Sequence, residues 1–100
     1  MVINGVCFRG EPLAGLCRSH GVSRLSVFGS ILRDDFRAES DVDMLVEFMP
    51  SRIPTLISIA QLEDELGALI GRKVDLRTPR EISRHFREKL IAQARLLHAA

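Results

Sequence analysis

One hundred residues with 46% hydrophobic and 27% charged side chains are enough for one globular domain with a modest core and too few for two. No apolar run reaches the length of a membrane span and no signal-peptide pattern opens the chain, so the composition points to a cytoplasmic domain with no membrane role. The net charge of +1 hides a division: residues 30–65 hold three Lys/Arg against nine Asp/Glu, whereas residues 71–100 hold eight against three. An acidic middle suits a divalent cation, and a basic end suits phosphate, an acidic partner or nucleic acid, although most charges on any domain simply coat its wet faces.

Two cysteines, Cys7 and Cys17, have no metal or redox spacing and are expected as free thiols. The chain has no Trp and no Tyr, so a tyrosyl acceptor for any modification has to lie in another molecule.

Residues 1–10, MVINGVCFRG, contain Asn4-Gly5 between short apolar pairs. A hairpin there has arms too short to stand alone, so a loosely held terminus or a brief strand is expected. Pro12 to His20 predicts a short helix, with Leu13, Leu16 and Cys17 at i, i+3 and i+4 and Gly21 as the stop. His20 in its last turn suits the helix dipole better than it suits catalysis. Ser23 to Phe28 predicts a central strand, Ile31 to Phe36 a short helix, and Arg37 to Ser40 a loop. Asp41 to Phe48 predicts a second strand, with Val42, Met44, Val46 and Phe48 on one face and Asp41, Asp43, Leu45 and Glu47 on the other.

Pro50 ends that strand. A helix over Thr55 to Ile70 is predicted to turn Leu56, Ile59, Leu62, Leu66, Leu69 and Ile70 toward the core, with Glu63-Asp64-Glu65 wet. Arg72 to Arg77 predicts a third strand carrying Asp75. Thr78-Pro79-Arg80-Glu81 combines a capping box with Pro at the first helical position. A helix is expected from there to about residue 98, packing Ile82, Phe86, Leu90, Ala94 and Leu97 on the sheet and presenting Arg80, Arg84 and Arg87 as a basic stripe. The order predicts a two-layer α/β (α+β) domain with a small mixed sheet of three to four strands packed by helices.

The chemistry concentrates in Leu25 to Phe48. An apolar strand ends at Gly29-Ser30, where a glycine allows a tight turn and close ligand approach, and backbone N–H groups can meet a phosphate. Ten residues on, Asp41-Val42-Asp43 opens the next strand, and a period of two puts both carboxylates on one face, where they can share hard cations. A Mg²⁺-nucleoside triphosphate needs both features.

Gly-Ser, ten residues, then Asp-x-Asp resembles the polymerase-β-like nucleotidyltransferase superfamily. Within it, roughly residues 13 to 98 resemble the minimal nucleotidyltransferases (MNT), many of which are antitoxins paired with HEPN toxins. The resemblance implies that Val74-Asp75-Leu76 carries a third acid beside the pair, in place of the simpler pairing of Asp75 with Arg72 or Lys73. Asp41, Asp43 and Asp75 would then be the catalytic and metal-binding carboxylates, holding two Mg²⁺ (or Mn²⁺), with Asp75 completing the acceptor-side site or taking the acceptor proton. Gly29, Ser30 and Arg33 would bind the triphosphate of ATP. Lys73 is a weaker phosphate candidate. Many relatives follow the arginine with glycine, whereas Asp34-Asp35-Phe36 follows Arg33 here, a departure that counts against Arg33 because two more negative charges repel a triphosphate unless they face outward.

The implied function is transfer of AMP from ATP to a hydroxyl of a partner protein. Larger relatives carry extra domains to hold the acceptor, and one hundred residues leave no room for one. A HEPN-type partner would present the hydroxyl, and self-association stays open. A module that neutralises its partner by contact alone is the alternative reading. Nucleic-acid binding through the basic end has less support, because aromatic stacking residues are scarce.

Overall fold

A computed structural model describes residues 1–100. A hairpin of β1 (Val2–Ile3) and β2 (Val6–Cys7) comes first, followed by α1 (Gly10–His20), β3 (Val22–Phe28) and a 3-10 turn over Gly29–Leu32. Then come β4 (Val42–Phe48), α2 (Leu56–Ile70), β5 (Val74–Arg77), a second 3-10 turn over Pro79–Glu81, α3 (Arg84–Gln93) and β6 (Arg95–Ala99). The larger sheet runs β5-β4-β3-β6. It is mixed: β4 and β5 are parallel, while β3 is antiparallel to both β4 and β6.

The helices before and after β4 form by recognisable local rules. Gly21 closes α1 in the left-handed conformation and Gly71 closes α2 in the same way, as favoured at a helix C-terminus. Thr55 and Ser58 cap α2 reciprocally, which satisfies N–H groups that the first turn leaves free. Leu13 and Cys17 from α1 and Leu62 and Leu66 from α2 bury against Leu25, Val27, Val42, Met44, Val46, Val74 and Leu76 of the sheet. The parity expected along β4 holds for its core face. Leu45 is buried too, on the opposite face and outside that cluster. The predicted stripe of α2 holds from Ile59 onward, but Leu56 is 88% exposed, beside exposed Ile53 and Ile57. A first-turn residue overhangs the end of the sheet and has nothing to pack on.

The first ten residues form the hairpin and are anchored. Asn4 and Gly5 take positive φ at its turn, Ile3, Val6 and Phe8 enter the core, and Phe8 N–H donates to the Met1 carbonyl. Two-residue arms hold because three apolar side chains pack against the domain.

The C-terminal helix expected to about residue 98 is shorter. After the capped 3-10 turn at Thr78, α3 begins at Arg84 and ends at Gln93, and residues 95–99 are a strand on the free edge of β3. Leu25 lies opposite His98 and Ser26 opposite Leu96. No Gly or Pro stops the helix. Pairing with a buried strand overrides the helical preference of an Ala-, Leu- and Arg-rich segment. Ile82, Phe86, Leu90 and Ala94 therefore do not enter the core, whereas Leu97 packs against it from β6. Nor is there a continuous arginine stripe, since Arg87 turns inward to donate to the carbonyls of Pro79 and Ile82.

Candidate functional site

The site lies at the end of the sheet where β3 finishes and β4 and β5 begin. β3 delivers the chain to Gly29, whose φ of +77° is open to glycine at no steric cost. A methyl group on Gly29 would collide with the Asp43 carboxylate. The antiparallel register explains the closeness, because Phe28 is paired with Asp43. The Gly29-Ser30 turn and the acidic pair are thus neighbours in space despite the residues between them.

The predicted helix over Ile31 to Phe36 is instead a four-residue 3-10 turn starting at Gly29. Arg33 is extended (φ −121°, ψ 169°) and donates its N–H back to the Ser30 carbonyl. So short a turn adds no long helix dipole, and an anion there would rely on local N–H groups and the Ser30 hydroxyl. The N-terminal hairpin braces this turn from behind. Asn4 Nδ2 donates to the carbonyls of Ile31 and Arg33, each at 3.1 Å. Asp34 and Asp35 are exposed, and Asp35 pairs with Arg33 at 3.1 Å.

On the other side, Val42 N–H donates to the Lys73 carbonyl at 2.8 Å, which starts the parallel pairing. Asp43 is then level with Asp75. Both are half-buried, and Asp41 is half-buried just before β4. Partial burial raises the Asp43 pKa, and the charges of Asp75 and then Asp41 raise it further, against lesser opposition from Arg77 and Arg33. A carboxyl so placed gains from any cation that joins it.

Arg77 is the cation present. Its Nε lies 3.3 Å from Asp75 Oδ1, and the hydrogen bond to Asp75 holds the guanidinium more firmly protonated. The simpler partners weighed for Asp75 were Arg72 and Lys73. Parity puts both Lys73 and Arg77 on the face of Asp75, and Arg77 is the one that pairs with it. Lys73 is exposed and contributes its backbone carbonyl. Arg72 instead clamps the loop that leads to Asp41, donating to the carbonyls of Arg37 (2.7 Å) and Ser40 (2.6 Å) and stacking 4.5 Å from the Phe36 ring centroid. From α2, Glu63 accepts the Leu76 N–H at 2.8 Å, which satisfies the outer edge of β5. His20 meets Glu65 across α1 and α2, a structural contact remote from the acids.

No three His, Cys, Asp or Glu side chains converge into a ready-made metal cage, and Asp75 pairs with Arg77. The donor set nonetheless suits a hard divalent cation. It consists of carboxylate oxygens only, with two donors at one level on adjacent strands and a third beside them. Beside Asp43, though not reaching Asp41 or Asp75, opens a cleft of about 780 Å³, whose walls include Phe28, Gly29, Arg33, Asp43 and, from α3, Phe86 and Lys89. The sequence did not reveal these last two as cleft residues, because the helix was expected to face the core.

The family model for the nucleotidyltransferase domain matches residues 13–98. The chain belongs to that family. Among nucleotidyltransferase relatives, it is 46% identical over 56 residues to the protein adenylyltransferase MntA of Thermococcus cleftensis. That match takes in 56% of this chain and 54% of the relative, so the chain spans about half the length of that protein. It is 35% identical over 75 residues to a provisionally named protein adenylyltransferase of Methanocaldococcus jannaschii, covering 75% of this chain and 78% of the relative. A solved structure provisionally described as a minimal nucleotidyltransferase superposes with a TM-score of 0.71 at 38% identity, covering 86% of each chain. The fold is also that of a toxin–antitoxin structure with AMP-PNP (TM-score 0.71, 20% identity, 93% of this chain and 75% of that one). The mixed sheet, the glycine turn and the acid-bearing parallel pair are therefore the frame of a minimal nucleotidyltransferase.

Proposed function

We propose that the chain transfers AMP from ATP to a hydroxyl of a partner protein, as the antitoxin of a HEPN/MNT pair. The observation that carries this reading is the convergence of three segments: the Gly29 turn against Asp43, and Asp43 level with Asp75. The names of relatives support the chemistry and the pairing. One is a protein adenylyltransferase, and one structure of the same fold holds a tri-AMPylated HEPN toxin of Shewanella oneidensis with its MNT antitoxin (TM-score 0.63, 20% identity, 91% of this chain and 70% of that one).

In this mechanism Gly29 and Ser30 receive the β- and γ-phosphates through N–H and hydroxyl donors, and Arg33 exchanges Asp35 for phosphate. Asp41, Asp43 and Asp75 would hold Mg²⁺ (or Mn²⁺). The ions would polarise the acceptor oxygen and neutralise charge on the leaving group. The acceptor oxygen forms a bond to the α-phosphorus while the bond from that phosphorus to the α,β-bridging oxygen breaks, and pyrophosphate departs. The acceptor proton passes to Asp75, which must first leave Arg77. Arg77 is exposed, and solvent screens its pairing with Asp75, so its release is a small cost. The chain lacks Tyr, which makes a tyrosyl acceptor a feature of the partner.

One observation favours a second reading, in which the chain neutralises its partner by contact alone: Asp75 already has a counter-ion in Arg77. Intact-mass spectrometry of a HEPN-type partner after incubation with the chain, Mg²⁺ and ATP separates the two. An AMP adduct lost in Asp41→Ala/Asp43→Ala is the expected result. No adduct, with neutralisation retained by that double variant, would refute transfer and leave binding.

A further inference from the structure

α3 has an apolar and polar face that the core does not use. None of its residues is buried, and Phe86 is 63% exposed. Phe86, Lys89, Leu90 and Gln93 recur at i, i+3, i+4 and i+7, the spacing of one helix face. All four line the cleft above Asp43, and the opposite wall is formed by Phe28, Gly29, Leu32 and Arg33. The helix that was expected to cover the sheet instead stands across this gap from the glycine turn.

The cleft is divided chemically. Gly29, Arg33 and Asp43 make one part polar and charged, while Phe86, Leu90 and Leu32 make another part apolar. Its volume, about 780 Å³, falls within the roughly 300–1,000 Å³ of small-molecule sites. A ligand with an anionic end and a flat, weakly polar end fits both parts at once. Resting on the nucleotide reading of the site, we propose that this face of α3 is the nucleoside wall: Phe86 stacks on the base, Leu90 and Leu32 flank it, Lys89 adds positive charge beside the phosphates, and Gln93 offers an amide to the base edge. An amide can donate and accept together, which is how Gln pairs with the N6 and N7 positions of adenine.

The test compares two ligands that share the phosphates and differ in the base. Isothermal titration of the full chain with Mg²⁺-ATP and with Mg²⁺-tripolyphosphate is repeated for Phe86→Ala and Phe86→Trp, with thermal melts to confirm folding. Phe86→Ala is expected to weaken ATP binding about thirty-fold, the middle of the range for loss of one base–aromatic stack. It should leave tripolyphosphate binding unchanged, and Phe86→Trp should retain ATP affinity. Wild-type ATP affinity in Phe86→Ala, or an equal loss for both ligands, overturns the α3 wall alone and leaves that face to a protein partner. A wild-type chain that binds neither ligand overturns the nucleotide reading and the wall with it.

Discussion

Gly29→Ala tests whether the glycine turn serves the site or only the fold. Gly29 has φ +77° and Gly71 has φ +70°, so alanine at either position is strained in the same way. Left-handed backbone at a non-glycine residue costs roughly 1–2 kcal/mol, and each kcal/mol lowers the Tm of a domain this size by about 4–8 °C. The surroundings differ. A Cβ at Gly71 meets nothing within 4 Å, whereas a Cβ at Gly29 runs into the Asp43 carboxylate. Asp43 has to move, and under the proposed mechanism a carboxylate displaced from its place level with Asp75 can no longer share a cation with it. Both variants should therefore lose stability in calorimetry, Gly29→Ala by at least as much as Gly71→Ala because its collision adds to the backbone strain. Only Gly29→Ala should lose Mg²⁺-ATP binding and AMP transfer, beyond ten-fold, when both are assayed well below their Tm. Equal loss of nucleotide binding in Gly71→Ala, or wild-type binding in Gly29→Ala, would refute the reasoning.

Asp43→Asn should raise the Tm at neutral pH while abolishing transfer. The folded state raises the Asp43 pKa above its ordinary 3.8, so ionised Asp43 opposes folding at neutral pH. The gain from asparagine should shrink as pH falls and vanish below about 3.8. Leu97→Ala should cost about 1–2 kcal/mol in urea unfolding, less than the roughly 2–5 kcal/mol of a fully buried leucine, because Leu97 is only partly buried against the core. Leu96→Ala, at a 42% exposed position, should cost less, and the reverse order would contradict the strand. Cys17, buried and with its thiol pKa pushed up to about 11 by burial, should resist iodoacetamide at neutral pH. Exposed Cys7 should react, giving one adduct in the native chain and two after denaturation.

Much of this arrangement was legible in the residues because local rules and tertiary demands agree. β3, β4 and β5, the two glycine helix stops and the acids at the head of β4 follow from alternation, punctuation and parity. The register that sets Asp75 level with Asp43 requires a parallel crossover, which periodicity cannot reveal. The resemblance to nucleotidyltransferases supplied that expectation. The errors cluster where a short segment obeys a distant partner. Residues 95–99 have helix-forming composition but pair with β3. Leu56 has helical spacing but overhangs the sheet. Arg72 and Arg77 differ in role through what the Arg37–Ser40 loop and Asp75 offer them, which their own positions only partly signal.

Ionised Asp43 weakens the fold that holds it. Asp43 and Asp75 share one level on adjacent strands, and burial together with the Asp75 charge makes the Asp43 charge harder to keep. They stay there because the strands are fixed by other residues: Val42, Met44, Val74 and Leu76 alternate with the two acids and are all buried, so a one-residue slip would trade core side chains for carboxylates. Arg77 offsets part of the repulsion from outside the core, where it can be exchanged. Burial therefore specifies the positions of the acids, and in the proposed mechanism the Asp43 charge contributes reactivity in place of stability. This is why a substitution that inactivates the site is expected to strengthen the domain.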